Sequence, residues 1–189
     1  MRPVLVATPC RAELSVNYVS SIVRLPKCVD FFFCDGESLV TRARNICVAQ
    51  FLDGDWQNLF FIDSDIGFTE PDFERLLEAP FPVIAAPYAK KGEDGGQTPD
   101  PSRIGEPDEN GFAVAQEAPT GFMRIKRFVL EKMRASGIQY WEYFDTMFHE
   151  NNYLSEDYAF CRRWQALQGS IHLDTRTQLT HHGSKLYAL

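Results

Sequence analysis

Apolar and polar positions alternate in blocks along the first half of the chain. Apolar runs of strand length predict strands over residues 4 to 8, 30 to 34, 59 to 62 and 81 to 86. Between these runs, apolar side chains recur at helical spacing, which predicts helices over residues 14 to 25, 38 to 52 and 71 to 77. Pro9 is expected to close the first strand and Ser38 to cap the second helix. This alternation predicts an α/β protein with a GT-A-like, Rossmann-like central sheet, mixed but mostly parallel, flanked by helices.

The second half of the chain contains two segments without such a regular pattern. Residues 90 to 111 are rich in Gly, Pro and acidic residues, which cannot fill a core, and they predict a long surface loop that could act as a lid. Residues 138 to 154 are an irregular, aromatic-rich segment. The remaining apolar runs predict strands over residues 112 to 116, 171 to 173 and 177 to 181, and helices that end near Gly137 and near Gln168. No repeat or linker-like stretch divides the chain, so residues 1 to 189 are expected to form one domain.

The composition narrows the classes of function. The net charge of −7 and the scattered Lys and Arg residues argue against a groove that binds nucleic acid. No apolar run has the length of a transmembrane segment, and no secretory signal is recognisable. The five cysteines form no C-x-x-C pair, which argues against a disulfide framework and a four-thiolate zinc site. We therefore expect a cytoplasmic protein, and nothing in the sequence indicates its oligomeric state.

Two Asp-x-Asp pairs occur in different contexts. Asp53 and Asp55 lie in a Gly-containing polar turn, whereas Asp63 and Asp65 follow a buried apolar run. Alternate residues of a strand share a face, so the second pair can converge on one hard cation such as Mn²⁺ or Mg²⁺. The alternative for the same pair is a solvated turn at the end of a strand.

The predicted second helix carries polar residues that could contribute to a site. On a helical wheel Arg42 and Asn45 lie close together on a face away from the core, whereas Arg44 is expected to point elsewhere. Arg42 and Asn45 could meet an anion or a carboxylate there. Solvated polar positions are the alternative.

Two groups near the C-terminus are also candidates. His181 and His182 lie in a short strand, and an imidazole is an acceptable ligand for Mn²⁺, although histidines at such a position can also be surface residues. Glu156 and Asp157 begin the last helix, where the helix dipole favours acidic residues regardless of function.

The order of the motifs resembles a known family. TPCR follows the first strand, LVTRARN opens the second helix, and FFIDSDIGF ends the third strand. Further along the chain come PYAKK, TGFMRIKR, SEDYAFCRRW and LTHHGS. In this order they resemble small GT-A-type glycosyltransferases of bacteria, phages and large DNA viruses, over roughly residues 4 to 187.

The resemblance implies a metal-dependent glycosyltransferase that moves a sugar from a nucleoside-diphosphate sugar to a hydroxyl acceptor, a saccharide. It implies that Asp63 and Asp65 hold Mn²⁺ or Mg²⁺ against the diphosphate. His181 would supply a further ligand from an H-x-G element in which His182 is the middle residue. A viral protein of this kind would act in the cytoplasm of its host.

The same resemblance implies a set of residues around the donor, which are Thr8, Pro9, Arg11, Asp35, Arg42, Asn45, Asp63, Ser64 and Gly121. Gly121 and Phe122 would form a small turn that leaves room for the donor sugar. The catalytic carboxylate would come from Glu156 or Asp157, and Asp157 is favoured as the base. The sugar, the acceptor and the stereochemical outcome are left open.

Three other functions fit parts of the pattern. A phosphatase of the haloacid-dehalogenase type also places D-x-D after a strand, but it expects Thr or Val where Gly67 stands and uses the first strand. A nucleotidyltransferase would need a Gly-rich loop where this chain has TPCR. A carbohydrate-binding module of the same fold would bind without turnover. An acceptor saccharide is expected to meet residues 138 to 154, whose aromatic side chains could equally fill a core.

Overall fold

The structure is a computed structural model that describes residues 4 to 11, 13 to 91, 96 to 183 and 186 to 188. Its helices are α1 (Val16–Ile22), α2 (Val40–Asp53), α3 (Glu70–Glu78), α4 (Arg127–Ala135) and α5 (Glu156–Ala166). Its strands are β1 (Val4–Cys10), β2 (Val29–Asp35), β3 (Asn58–Ile62), β4 (Ile66–Gly67), β5 (Val83–Ala85), β6 (Tyr88–Ala89), β7 (Gln97–Thr98), β8 (Phe112–Ala115), β9 (Phe122–Lys126), β10 (Met147–His149), β11 (Asn152–Leu154), β12 (Ile171–Asp174), β13 (Thr180–His182) and β14 (Leu186–Ala188).

Seven strands form the central sheet, in the order β2-β1-β3-β9-β5-β12-β8. β1, β2, β3, β5 and β12 share one direction, and β9 and β8 run the opposite way. α2, α4 and α5 pack on one face of the sheet, while α1 and α3 pack on the other. The predicted Rossmann-like architecture, a mostly parallel sheet flanked by helices, is therefore confirmed.

Local sequence explains how two of the helices begin. The Ser15 hydroxyl accepts a hydrogen bond from the backbone N–H of Tyr18, which caps α1. Thr69 and Asp72 form a reciprocal capping box at the start of α3, where Pro71 occupies the first turn. Both helices are thereby fixed at their N-terminal ends.

The candidate residues lie at one edge of the sheet. Parallel strands end together, so the carboxyl ends of β1, β2, β3 and β5 meet there, which is where ligands bind in open α/β sheets. A small sheet of β4, β13 and β14 and the β6–β7 hairpin lie at the same edge. Within the described chain, no helix is both long and apolar enough to cross a membrane.

Pro9 and Ser38 do not have the roles expected of them at the ends of β1 and α2. β1 continues through Pro9 to Cys10, because its pairing with β3 stops at Ala7 and no hydrogen bond to β3 is required of Pro9. α2 begins after Leu39 rather than at a Ser38 cap; the Glu37 carboxylate instead accepts from the Leu39 N–H at 2.9 Å.

The second half of the chain is more regular than its sequence predicts. The segment expected to be a loop over residues 90 to 111 contains β7, which pairs with β6, and a 3₁₀ turn at Pro101–Arg103. The segment expected to be irregular over residues 138 to 154 contains the β10–β11 hairpin. β9, at the centre of the sheet, was also not predicted.

Candidate functional site

The Asp63-Ser64-Asp65 turn is fixed by backbone hydrogen bonds immediately after β3. The Asp63 N–H donates to the Gly121 carbonyl at 3.0 Å, and the Ile66 N–H donates to the Asp63 carbonyl at 3.1 Å. The Ser64 carbonyl accepts from the Ser15 N–H at 2.8 Å. Ser64 therefore ties the turn to the start of α1 through its backbone.

Asp65 and His181 come together at this turn. Because β13 pairs with β4, His181 lies opposite Ile66, and the His182 N–H donates to the Asp65 carbonyl at 2.8 Å. This register brings His181 Nε2 within 3.5 Å of Asp65 Oδ1. The proximity expected from the sequence is confirmed for these two side chains, while their role as metal ligands stays a prediction.

The tautomer of His181 follows from its other ring nitrogen. His181 Nδ1 lies 2.8 Å from the Ala89 carbonyl oxygen. A carbonyl only accepts, so Nδ1 carries a proton, and Nε2 is the ring nitrogen turned toward Asp65. A backbone carbonyl that orients an imidazole in this way is the usual support of a metal-ligating histidine.

Lys91 is the cation that contacts this pair. Its ammonium group forms an ion pair with Asp65 Oδ2. Burial raises the pKa of Asp65, but the contacts with His181 and Lys91 lower it more, so the net pKa of the carboxyl is below its usual value. Asp65 is therefore held as a carboxylate with positive charge beside it.

The donor set near Asp65 fits a hard divalent cation in part. Within the ranges that the structure describes, no three His, Cys, Asp or Glu side chains are grouped closely enough to hold a metal ion by themselves. A carboxylate and an imidazole from Asp65 and His181 are nevertheless suitable ligands, and Mg²⁺ or Mn²⁺ commonly takes its remaining ligands from substrate phosphates and water. Asp65 and His181 therefore offer two suitable ligands, and a cation held there would need its other ligands from elsewhere.

Arg44 lies between Asp63 and Glu156 and contacts both carboxylates. Its side chain is only 4% exposed, and its Nη2 donates to Asp63 Oδ1 at 3.0 Å and to Oδ2 at 3.3 Å. Its Nε donates to Glu156 Oε1 at 3.1 Å. Its guanidinium also lies over the Phe61 ring, 5.4 Å from the centroid. Arg44 thus joins the first aspartate of the pair to the start of α5.

One nitrogen of Arg44 has no partner. Nη1 is buried and makes no hydrogen bond with any residue that the structure describes, and the same is true of Thr120 Oγ1. Burial lowers the pKa of Arg44, but the charges of Asp63, Glu156 and Asp157 outweigh it and raise the net pKa. Arg44 therefore remains protonated and has hydrogen-bonding capacity to spare.

Asp157 and Glu156 have different surroundings. Glu156 is engaged by Arg44, whereas Asp157 Oδ1 accepts from the Ser155 hydroxyl and from the Tyr158 N–H at 2.9 Å. Burial, reinforced by the charge of Glu156, raises the pKa of Asp157 to about 6, against the opposing effects of Ser155 and Arg44. A carboxylate with a pKa near 6 is mostly ionised at neutral pH yet basic enough to accept a proton.

Several residues expected around the donor are not placed as predicted. The Thr8 side chain is fully buried, and its hydroxyl is hydrogen-bonded to the Tyr18 hydroxyl at 2.5 Å, so it cannot line a nucleoside pocket. Pro9 is half-buried at the end of β1, and Arg11 and Asp35 are exposed beside it and at the end of β2. The roles of these last three residues stay predictions.

Arg42 and Asn45 do not act together. The Arg42 side chain is 65% exposed and pairs with Glu37. Asn45 is buried; its Nδ2 donates to the Trp141 carbonyl at 2.7 Å and its Oδ1 accepts from the Phe144 N–H at 3.0 Å. The expectation that Arg44 points away from the site is wrong, because tertiary contacts draw Arg44 inward.

Gly121 makes room for a side chain of the protein itself. A Cβ atom on Gly121 would lie 2.5 Å from the Tyr88 hydroxyl oxygen and 2.7 Å from its ring. Phe122 is fully buried. The expected turn that leaves space for a donor sugar is therefore filled by Tyr88 on the side where the Gly121 Cβ would lie.

Of the two site residues that the sequence analysis missed, Arg44 had a detectable sequence signal and Lys91 did not. Arg44 stands at helical spacing from the buried residues Cys47, Val48 and Phe51, so it belongs to the core-facing stripe of α2. Lys91 had no comparable signal, because its contact with Asp65 depends on the path of the β6–β7 hairpin.

Comparison with known proteins bears on the fold. No protein-family model matches the chain, and no curated protein sequence matches it significantly. Among solved structures, the chain is similar to A197 from STIV, with a TM-score of 0.69 at 18% identity over 98% of this chain and 93% of that chain. It is also similar to CMP:2-keto-3-deoxy-manno-octonic acid synthetase complexed with CTP, with a TM-score of 0.50 at 11% identity over 93% and 91% of the two chains. At these identities the likeness establishes a shared Rossmann-like fold and no particular activity.

Proposed function

We propose that the chain is a metal-dependent glycosyltransferase that moves a sugar from a nucleoside-diphosphate sugar to a hydroxyl of a saccharide acceptor. The observation that carries this function is the meeting of Asp65 and His181, 3.5 Å apart, at the carboxyl edge of the parallel strands. A synthetase of similar fold is complexed with CTP, which supports a nucleotide as a ligand of the chain.

Asp65 and His181 would hold the cation, Mn²⁺ or Mg²⁺, and the diphosphate oxygens would complete its ligands. Bound there, the cation would stabilise the negative charge that develops on the leaving diphosphate. Lys91, which neutralises Asp65 in the structure, would exchange that contact for the phosphates.

Arg44 would position the two carboxylates around the donor. Both oxygens of Asp63 accept hydrogen bonds from Arg44, which fixes the carboxylate at the end of β3; as a metal ligand Asp63 would share these oxygens between Arg44 and the cation.

Asp157 would act as the base in an inverting reaction. The acceptor oxygen forms a bond to the anomeric carbon while the bond from that carbon to the phosphate oxygen breaks, and the nucleoside diphosphate leaves with the electron pair. The hydroxyl proton passes to the Asp157 carboxylate, whose pKa of about 6 suits a base at neutral pH. Glu156 is held by Arg44 and would position α5.

Thermal-shift measurements with UDP-, GDP- and dTDP-sugars, with and without Mn²⁺, test this function, followed by assays of donor hydrolysis. We expect stabilisation by at least one donor only in the presence of Mn²⁺, and its loss in Asp65→Ala. Asp55→Ala, in the exposed Asp-x-Asp turn, is the matched control and should behave as the wild type.

Three results would overturn all or part of this proposal. Release of phosphate from small phosphomonoesters without any nucleotide effect would favour the phosphatase. Normal transfer by Asp157→Asn would remove Asp157 as the base. Donor binding with no turnover in any assay would instead favour a carbohydrate-binding module.

A further inference from the structure

The aromatic side chains of residues 138 to 154 fall into two sets in the structure. Tyr143 and Phe144 are fully buried in the core beneath α5. Phe148 and Tyr153, in contrast, are 71% and 73% exposed. The core-filling alternative is therefore confirmed for Tyr143 and Phe144, while contact of the exposed rings with an acceptor stays a prediction.

Two of the exposed rings are held on one surface. Phe148 and Tyr153 lie directly opposite each other in the antiparallel β10–β11 pair, so their side chains project from the same face of the hairpin. Met147 and Leu154 form the neighbouring pair on the other face, and Leu154 is buried against the protein. The face with the two rings is consequently turned away from the core.

The hairpin is locally constrained. Glu150 and Asn151 form its turn with φ values of 47° and 64°, the left-handed conformation that tight two-residue hairpins require. The Tyr153 hydroxyl is hydrogen-bonded to Thr146 Oγ1 at 2.9 Å. The rings are thus presented at fixed positions, and a ligand that stacks on them has little side-chain freedom to remove.

The same surface leads to the proposed base. Ser155 follows β11 in an extended conformation, with φ −60° and ψ 166°, and lies two residues after Tyr153. Alternate residues of an extended chain share a side and stand about 7 Å apart. The Ser155 hydroxyl is itself bonded to Asp157. A ligand on Tyr153 would therefore lie beside the carboxylate of Asp157.

α2 fixes this arrangement from below. Asn45 holds the backbone at Trp141 and Phe144, and the adjacent Arg44 holds Glu156 at the start of α5. Neighbouring residues of one helix thus anchor the segment before the hairpin and the helix after it.

We propose that Phe148 and Tyr153 form a stacking platform for the sugar ring of the acceptor and orient its hydroxyl toward Asp157; in its catalytic part this inference rests on the proposed function. Aromatic faces pack against the apolar face of a sugar ring, and the exposed side chain of Glu150 in the adjoining turn can bond its hydroxyls. Two rings offer at most about 400 Å² of side-chain surface, below the roughly 800 Å² per partner of a stable protein interface, so a saccharide is the better match.

The platform is tested with Phe148→Ala and Tyr153→Ala, in which exposed side chains are truncated. Tyr153→Phe retains the ring, and Phe33→Ala removes an exposed aromatic ring from β2 as a matched control. Wild type and variants are applied to a printed array of oligosaccharides, and the strongest ligand is then titrated by calorimetry. We expect about tenfold weaker binding in both alanine variants and near wild-type binding in the two controls.

Kinetics provide the second arm of the test. The KM for the acceptor should rise about tenfold in Phe148→Ala and Tyr153→Ala, while donor hydrolysis and donor-induced thermal shifts stay at wild-type values. Equal saccharide binding by wild type and both alanine variants would overturn the platform. So would a dimer, seen by light scattering, that dissociates in Phe148→Ala while no saccharide binds.

The two proposals can fail separately. Saccharide binding that requires Tyr153 but occurs in a protein without metal-dependent nucleotide binding would sustain the platform and remove the transferase. Nucleotide-dependent transfer with an unchanged acceptor KM in Phe148→Ala and Tyr153→Ala would sustain the transferase and remove the platform.

Discussion

Two arginines are buried among the described residues, and their surroundings differ. Arg124, in β9, has no carboxylate partner there; its guanidinium donates to the backbone carbonyls of Leu76, Ala79, Phe81 and Pro82. Burial without a counter-charge lowers its pKa to about 10. Arg124 closes the C-terminal end of α3 and is satisfied by the fold itself.

Arg44 is equally buried but is paired with Asp63 and Glu156, and its Nη1 has no partner. Nearby carboxylates raise its pKa, in contrast to Arg124. A buried cation whose donors are all used by backbone carbonyls serves stability. A buried cation that gathers carboxylates at a ligand-binding edge and keeps a donor free is better suited to function.

The largest effect is expected from removing Arg124. Arg124→Met would remove the side-chain donor of the Leu76, Ala79 and Phe81 carbonyls, and we expect a loss of about 3 to 5 kcal/mol in the free energy of unfolding. Urea denaturation measures it, with Arg103→Met, a surface change, as the control. A loss below about 1 kcal/mol in the free energy of unfolding would show that Arg124 does not serve mainly to stabilise the fold.

Arg44→Met should act mainly on catalysis. Without Arg44, Asp63 and Glu156 lose their common anchor, and a small displacement of reacting groups costs about 10²-fold in rate. The measurement is kcat/KM for transfer, with unfolding followed in parallel. Arg42→Met, on the exposed side of the same helix, is the matched control. Equal effects of Arg44→Met and Arg42→Met on kcat/KM would contradict the functional role of Arg44.

The pH dependence of transfer should report Asp157. The base must be ionised, so kcat/KM should fall about tenfold per pH unit below the pKa of about 6 and level off above it. Because the charge of Arg44 lowers this pKa, the residual activity of Arg44→Met should have its midpoint at higher pH. A midpoint that stays in place or moves to lower pH would argue against this coupling.

The smallest effect is expected at Lys91, on the more exposed side of the site. Lys91→Met removes the cation that competes for Asp65, so Mn²⁺ should bind about twofold to fivefold more tightly, as a partly exposed ion pair of ~0.5 to 1 kcal/mol allows. Calorimetric titration of Mn²⁺ measures this, and Lys90→Met is the control. Weaker binding of Mn²⁺ by Lys91→Met would mean that Lys91 assists the cation rather than replaces it.

The proximity of Asp65 and His181 was expected from the resemblance carried by the ordered motifs. In the structure it arises from the pairing of β13 with β4, a strand that the apolar pattern did not predict. The environment of Arg44 was not predictable from polarity alone, since its burial depends on Asp63 and Glu156, which lie far away in sequence.

The fold was predicted best where the apolar runs are continuous, as in β3, all of whose residues are buried. β9 was missed because Arg124 interrupts its apolar pattern, and only the carbonyls around that arginine make a charged residue tolerable in a central strand. The Gly121 turn was misinterpreted for a related reason, because the ring that fills its space, Tyr88, comes from another strand.

Titration of Mn²⁺ followed by its electron paramagnetic resonance signal tests the central claim most directly, with UDP, GDP and dTDP present in turn. We predict that the wild type and Asp55→Ala bind Mn²⁺ more tightly in the presence of at least one of these nucleotides. Asp65→Ala and His181→Ala should lose that binding. Binding of Mn²⁺ by Asp65→Ala with wild-type affinity would contradict the site.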